Sequence, residues 1–176
     1  MELGLGNDEV RLVSFSEAWK DEFAKTKDEI QSSTGIKEAY IEHIGSTAIK
    51  GMPSKPIIDL LVAVESLDMM DDNLVKQFKI IGFHRLKVKR PNEIVFAKFK
   101  DPSYEVKTHY IHLVEYGKEL WKNLLFFRDY LNANKQARLA YAELKMDYAN
   151  RATTGIIAYT DYKEAFVTDI FSKRVE

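Results

Sequence analysis

Apolar residues along this chain change spacing twice, and the changes divide it into elements. From Trp19 to Ile30 they recur at helical intervals, with Trp19, Phe23 and Ile30 on one side of a helix running to about Ser32. Ser14-Phe-Ser-Glu17 has the Ser-x-x-Glu form of a capping box and places that helix's start at Ser14. Tyr40–Ile44 then reads as a strand, Ser46–Ile49 as one helical turn and Gly51–Ser54 as a loop. Pro56–Val64 is apolar almost without interruption, the pattern of a central strand covered on both faces. Asp59 breaks it. Asp68–Ile81 reads as a helix with acids at its N-terminal end and Gly82 as its cap. Phe83–Val88 and Glu93–Phe99 pair as a hairpin around Arg90-Pro-Asn92, and Tyr104–Val114 is the next strand. After Gly117 the helical period returns, through Leu120, Leu124, Phe127 and Leu131, then Leu139, Ala142 and Met146, then Tyr162, Phe166 and Ile170.

The order predicts an α+β fold, a mixed β-sheet flanked by helices with a C-terminal helical segment from about residue 117. Residues 1–9 read as a flexible end, Val10–Val13 as a short strand, and 10–176 as a single domain.

Composition narrows the class. At 45% apolar and 30% charged the chain is globular in type. It has no cysteine, which excludes disulfides, thiol nucleophiles and Cys-based zinc sites. Met1–Glu9 lacks the pattern of a signal peptide and no apolar run reaches membrane length, so the expected location is cytoplasmic and no membrane partner is expected. A net charge of −1 argues against a general nucleic-acid binder. Lys79–Lys107 nevertheless holds eight cations against three anions, a strip suited either to a small polyanion or to a solvated sheet face.

The chemistry centres on Gly45-Ser46 and on Asp59, thirteen residues beyond Ser46. A Gly-Ser turn between a strand and a helical turn lets backbone approach a phosphate, and Ser46 and Thr47 add hydroxyls. Lys55, just before the central strand, could meet the same phosphates. Side chains alternate along a strand, so Ile57, Asp59, Leu61 and Ala63 share a face. A two-metal site needs a second acid two residues after Asp59, and Leu61 stands there. Glu65 has the right parity but lies roughly 20 Å further along. Glu42 is a candidate replacement. His109 and His112 fall on opposite faces of a regular strand, so one of them reaches the site unless a bulge brings both. Glu105, Lys107 and His109 share a face and read as a polar pocket floor, with His112 turned to the helices. His43 is a weaker candidate. No nucleophile elbow, Walker loop or dinucleotide fingerprint is present.

Six segments together, His43-Ile-Gly-Ser-Thr-Ala48, Lys55-Pro-Ile-Ile-Asp59, Thr108-His-Tyr-Ile-His112, Phe127-Arg-Asp-Tyr-Leu131, Tyr141-Ala-Glu-Leu-Lys145 and Tyr162-Lys163 through Phe166, resemble the GrpB family over about residues 10–172. The chain is likewise similar to the extra domain fused to some bacterial dephospho-CoA kinases. The resemblance implies a nucleotidyltransferase-like fold, with the Gly-Ser turn and Asp59 around one cleft closed by the C-terminal helices. It implies Mg²⁺ and a nucleoside triphosphate as ligands. Gly45, Ser46, Thr47, Lys55, Lys107 and His112 would bind the nucleotide, Asp59, Glu105 and His109 would be catalytic, and Asp59 with Glu42 would hold the metal. Arg128 and Asp129 would brace each other or the sheet, or Arg128 would meet a phosphate. The expected activity is nucleotidyl transfer to an unidentified acceptor. The alternative, motivated by Leu61, is a cleft that binds nucleotide- or CoA-like ligands without the chemistry.

Overall fold

The computed structural model describes residues 2–175. Six strands, β1 (Leu5–Gly6), β2 (Ile41–Ile44), β3 (Ile58–Val64), β4 (Phe83–Arg85), β5 (Ile94–Phe99) and β6 (Val106–Glu115), form one sheet in the order β2-β3-β6-β5-β4, with β1 paired to the start of β6. β3 and β6 run parallel and every other pair antiparallel. Five helices flank the sheet: α1 (Ala18–Thr34), α2 (Asp72–Ile80), α3 (Glu119–Ala133), α4 (Lys135–Arg151) and α5 (Ile156–Ser172). This is the mixed-sheet α+β architecture with a helical C-terminal part that the periodicity predicts.

The continuous apolar run of β3 has its explanation in the two layers it separates. Ile58, Leu60 and Val62 point one way, into a core with Ile111 and Leu113 of β6, Phe96 of β5, Trp19 and Ile30 of α1 and Phe78 of α2. Leu61 and Ala63 point the other way, against Ile44, Val114 and Trp121 of α3. A further cluster joins Phe127 and Leu131 of α3, Tyr141 and Ala142 of α4 and Ile170 of α5 to Ile49 and Met52 of the loop after β2. Asp59 faces this second, helical side near the strand's start.

Several local expectations are corrected. The Ser14–Glu17 capping box does not form: the first helix begins at Ala18, and the Glu17 side chain makes no cap bond. The second helix begins at Asp72, where the Asp71 side chain accepts from Leu74 N–H, and Leu67–Met69 is a separate 3-10 turn. Val10–Val13 forms no strand beyond a single bridge from Val13 to Ser54. Leu5-Gly6, inside the stretch expected to be flexible, pairs with Lys107 and Val106. Met1 and Glu176, the outer ends of the two expected spans, lie outside the described residues. In α4 the inward stripe is Tyr141, Ala142 and Lys145, whereas Leu139 and Met146 are exposed. In α5 it is Tyr159 that is buried, while Tyr162 is exposed. No helix among the described residues is long and apolar enough to cross a membrane.

Candidate functional site

The cleft forms where β2 ends against the start of β3. Ile44 pairs with Asp59, so the next residue, Gly45, passes directly over the Asp59 carboxylate. A Cβ on Gly45 would lie 2.3 Å from Asp59 Oδ2, and its φ of +71° is a left-handed conformation that side chains disfavour. Glycine is thus the residue that lets the turn close on the acid. The chain continues as a 3-10 turn, Ser46–Ala48. Thr47 is buried and its hydroxyl lies 2.9 Å from His43 Nε2. Burial holds the His43 pKa down, to about 4, so its ring is neutral and stacks on Phe23.

A cavity of about 130 Å³ opens beside the turn, lined among others by Ser46, Lys55, Asp59, Tyr110, Tyr141 and Lys163. At about 30 Å³ per water, it is the size of a few waters or one to two phosphate groups. Lys55 and Lys163 line it, and a third lysine, Lys145, is bonded to Ser46 of its wall. Lys145 is almost wholly buried, with Nζ 2.9 Å from Ser46 Oγ and donating to the Pro53 carbonyl at 2.5 Å. Lys55 and Lys163 are half-buried and lie 5.5 and 4.1 Å from the Tyr159 ring centre. None of the three has an ion-pair partner among the described residues. Burial, reinforced by Lys163 and Lys55, drives the Lys145 pKa down to about 6. Burial and Lys55 bring Lys163 to about 7, with Asp59 opposing, and Lys55 is lowered chiefly by burial.

Asp59 is engaged on its other side. His112 Nε2 lies 3.5 Å from Asp59 Oδ1, and its Nδ1 is 2.8 Å from Glu93 Oε2; the other oxygen of Glu93, Oε1, accepts from Arg90. Burial alone would lower the His112 pKa, but hydrogen bonds to the two carboxylates outweigh it and hold it at about 9. For Asp59 and Glu93 burial works upward, yet His112 and the nearby cations win and both are lowered. At neutral pH the cluster is an imidazolium between two carboxylates.

The structure brings Gly45, Ser46, Thr47, Lys55, Asp59 and, through Asp59, His112 to one place. It does not bring the others. His109 faces the opposite side of the sheet, with Nε2 3.2 Å from Glu22 and 3.4 Å from Thr26 of α1. The reason is register: odd residues of β3 pair with even residues of β6, Asp59 with Tyr110 and Leu61 with His112. Parity within one strand does not fix that offset. Glu105 is exposed ahead of β6, and Lys107 is bonded to Asn7. Glu42 is on the helical face but bound to Arg128 at 2.6 Å, and Arg128 also holds Asp129 and the His43 carbonyl. Arg128 therefore braces β2 to α3. Three of the eight cations of the basic strip are paired: Lys98 with Glu29, Lys100 with Glu2 and Arg90 with Glu93. Lys145, Lys163, Tyr110, Tyr141 and Tyr159 line the site without having been singled out as site residues. The i, i+4 spacing of Tyr141 and Lys145 was the available signal, since it puts both on one helix face.

These residues do not fit a divalent metal. Mg²⁺ is held by carboxylate oxygens in near-octahedral geometry. Here one carboxylate, Asp59, faces the cavity and it is ion-paired to His112, beside Leu61. Among the described residues no three His, Asp or Glu side chains converge as ligands. The positive charge of the cleft comes from lysines.

Comparison with known proteins bears on the family and the fold. The model of the GrpB protein family matches residues 9–173. The glutamate-rich protein GrpB of Alkalihalophilus pseudofirmus is 40% identical over 97% of this chain and 99% of its own length. The dephospho-CoA kinase of Mycobacterium tuberculosis is 29% identical over 94% of this chain, which spans 46% of that protein. The crystal structure of GrpB from Enterococcus faecalis superposes with a TM-score of 0.77 at 27% identity, covering 93% of this chain and 96% of that one. The Cid1 poly(U) polymerase superposes with a TM-score of 0.53 at 16% identity over 78% of this chain and 43% of that one, a likeness of fold. Matched by the family model over nearly its full length and sharing a nucleotidyltransferase-like fold, the chain belongs to the GrpB family.

Proposed function

We propose that the cleft binds the phosphate or diphosphate portion of a nucleotide- or CoA-like ligand, and does so without a divalent metal. One observation carries this reading: Lys55 and Lys163 line a phosphate-sized cavity, with Lys145 on Ser46 of its wall, and the carboxylate that faces it, Asp59, is occupied by His112. In a nucleotidyltransferase, metal ions neutralise the triphosphate. Lys55 and Lys163 do the equivalent here: burial lowers both pKa values, a bound polyanion raises them again, and the desolvated charges attract it strongly. Ser46 and the Gly45 backbone complete the cradle.

The test is calorimetric titration of the protein with inorganic pyrophosphate, ATP and CoA, in EDTA and in Mg²⁺. Binding that persists in EDTA, and weakens at least tenfold in Lys163→Met and Lys55→Met, is the expected result. Binding that needs Mg²⁺ and disappears in Asp59→Asn would overturn it in favour of metal-dependent nucleotidyl transfer. That activity would also release pyrophosphate from the triphosphate.

A further inference from the structure

Lys145 is not needed merely to attract an anion. It lies deepest of the three lysines, 1% exposed, and its amine has two polar neighbours in bonding range, Ser46 Oγ at 2.9 Å and the Pro53 carbonyl at 2.5 Å. An ammonium carries three protons for these two acceptors. A neutral amine fits the same surroundings: one N–H serves Pro53, the second faces the Tyr141 ring, 4.9 Å from Nζ, and the lone pair is free to accept from the Ser46 hydroxyl. Tyr141, on the same helix one turn earlier, lines the cavity beside the same serine. The groups facing this pair are Tyr141 on α4, Lys163 and Tyr159 on α5, Lys55 and Asp59 at the start of β3, and Tyr110 on β6. Burial disfavours a charge on Lys145, and the nearby Lys163 and Lys55 add to it, giving the value of about 6 noted above.

We propose that Ser46 is a nucleophile, with Lys145 as its general base, toward a phosphoryl group of a phosphoanhydride held by Lys55 and Lys163. This rests on the phosphate-binding reading above and adds a reaction to it. Ser46 Oγ forms a bond to phosphorus as its proton passes to Lys145 Nζ. The bond from phosphorus to the bridging oxygen breaks, and that oxygen leaves with the electron pair and takes the proton from Lys145. Water then attacks the phosphoserine, giving its proton to Lys145, and Ser46 Oγ departs and recovers a proton from it. Phosphate is released and the site is restored. The arrangement meets the usual requirement of an activated hydroxyl, a base within hydrogen-bond reach whose pKa lies near the working pH. Lys55 and Lys163 stabilise charge on the phosphoryl oxygens, the larger part of catalysis in such transfers.

The experiment uses diisopropyl fluorophosphate, which carries no charge and so reports on the nucleophile independently of anion binding. Intact-mass and peptide analysis are expected to find one adduct, on Ser46, with fluoride displaced. Its rate should rise through about pH 6 and level off, and inorganic pyrophosphate should slow it. Ser46→Ala should take up no label. Lys145→Met should label at least a hundredfold more slowly and lose the pH dependence, the scale expected for removal of a general base. The melting temperature of each variant is checked first. Should Lys145→Met fail to fold, the pH profile of the unaltered protein and Lys145→Gln decide the matter. Absence of label, label on Tyr141 instead, or a rate indifferent to pH and to Lys145 overturns the nucleophile. If pyrophosphate still binds in that case, the phosphate-binding reading survives alone. If Ser46 labels but pyrophosphate neither binds nor protects, the phosphoanhydride assignment is overturned instead.

Discussion

The two faces of the sheet solve the same problem in opposite ways. Each buries a histidine of β6, three residues apart, beside a glutamate. On the α1–α2 face His109 sits among Phe83, Thr26 and Glu22, and burial keeps its pKa below the ordinary value despite the glutamate. Its contact with Glu22 is therefore a hydrogen bond of a neutral ring at pH 7, although the distance alone would pass for an ion pair. On the α3–α5 face His112 sits between two carboxylates and is charged. One carboxylate in contact, 27% exposed and opposed by nearby Lys98, does not offset desolvation of His109, whereas two in contact do so for His112. The first face is a core with polar fittings. The second face stores charge, an imidazolium cluster on one side of Asp59 and, on the other, lysines with no ion-pair partner among the described residues.

Removing His112 should break the contrast most severely. His112→Gln leaves Asp59 and Glu93 buried close together without their shared cation, and is expected to cost about 3 kcal/mol at neutral pH by chemical denaturation. The pH course carries the sign. The folded pKa of His112 is raised, so its contribution is complete below the unfolded value near 6.5 and disappears as pH rises through about 9. Asp59 and Glu93 are lowered, so their contribution is present above about pH 4 and is lost on acidification below it. The deficit of the variant should be widest between these limits and shrink on either side.

Gly45→Ala comes next, at about 2 kcal/mol, from a left-handed alanine and a Cβ driven into Asp59. Because that Cβ would push Asp59 away from His112, the two substitutions share one interaction. The double variant should cost clearly less than the sum of the singles. Strict additivity would mean that the glycine serves the turn alone and not the acid.

Much of this arrangement was legible in the sequence, and the illegible parts have physical causes. The unbroken apolar run announced β3 as central, and a lone Asp59 inside it announced a site, because both depend on one strand alone. The Gly45-Ser46 turn was equally local. Which histidine joins Asp59 depended on the pairing of β3 with β6, set by packing across many side chains. Lys145 was hidden because an apolar-stripe reading passes over charge. Leu139, Ala142 and Met146 keep helical spacing, yet the helix turns Tyr141 and Lys145 inward, where Ser46 and Pro53 satisfy the amine. Glu42 was plausible as a ligand until Arg128, 86 residues away in sequence, was placed against it.

His109→Gln sharpens the comparison from the quiet side. The loss should be about 1 kcal/mol at pH 7.5, the ordinary cost of disturbing one buried hydrogen-bonded group. Its pH course runs opposite to that of His112. With a lowered folded pKa, His109 penalises the native state once the unfolded chain takes up a proton below about 6.5. The variant's deficit should therefore narrow as pH falls from 7 to 5, over a range where that of His112→Gln holds. Parallel courses for the two variants would mean that the faces do not differ as described.

Lys163→Met should move stability least, by no more than about 0.5 kcal/mol, and with the sign of a slight gain. Lys163 is half-buried, has no ion-pair partner among the described residues and shares the cleft with Lys55, so an apolar side chain of similar length relieves repulsion while keeping contact with Tyr159. The same change should weaken pyrophosphate binding at least tenfold. On the α1–α2 face Lys98 gives the converse control, because it is paired with Glu29 at 2.8 Å and lies away from the cleft. Lys98→Met should lower stability modestly and leave binding unchanged. A cation kept for the fold loses stability when removed; a cation kept for a ligand loses the ligand. Thermal melting and titration of these two variants side by side would assign each lysine to one class.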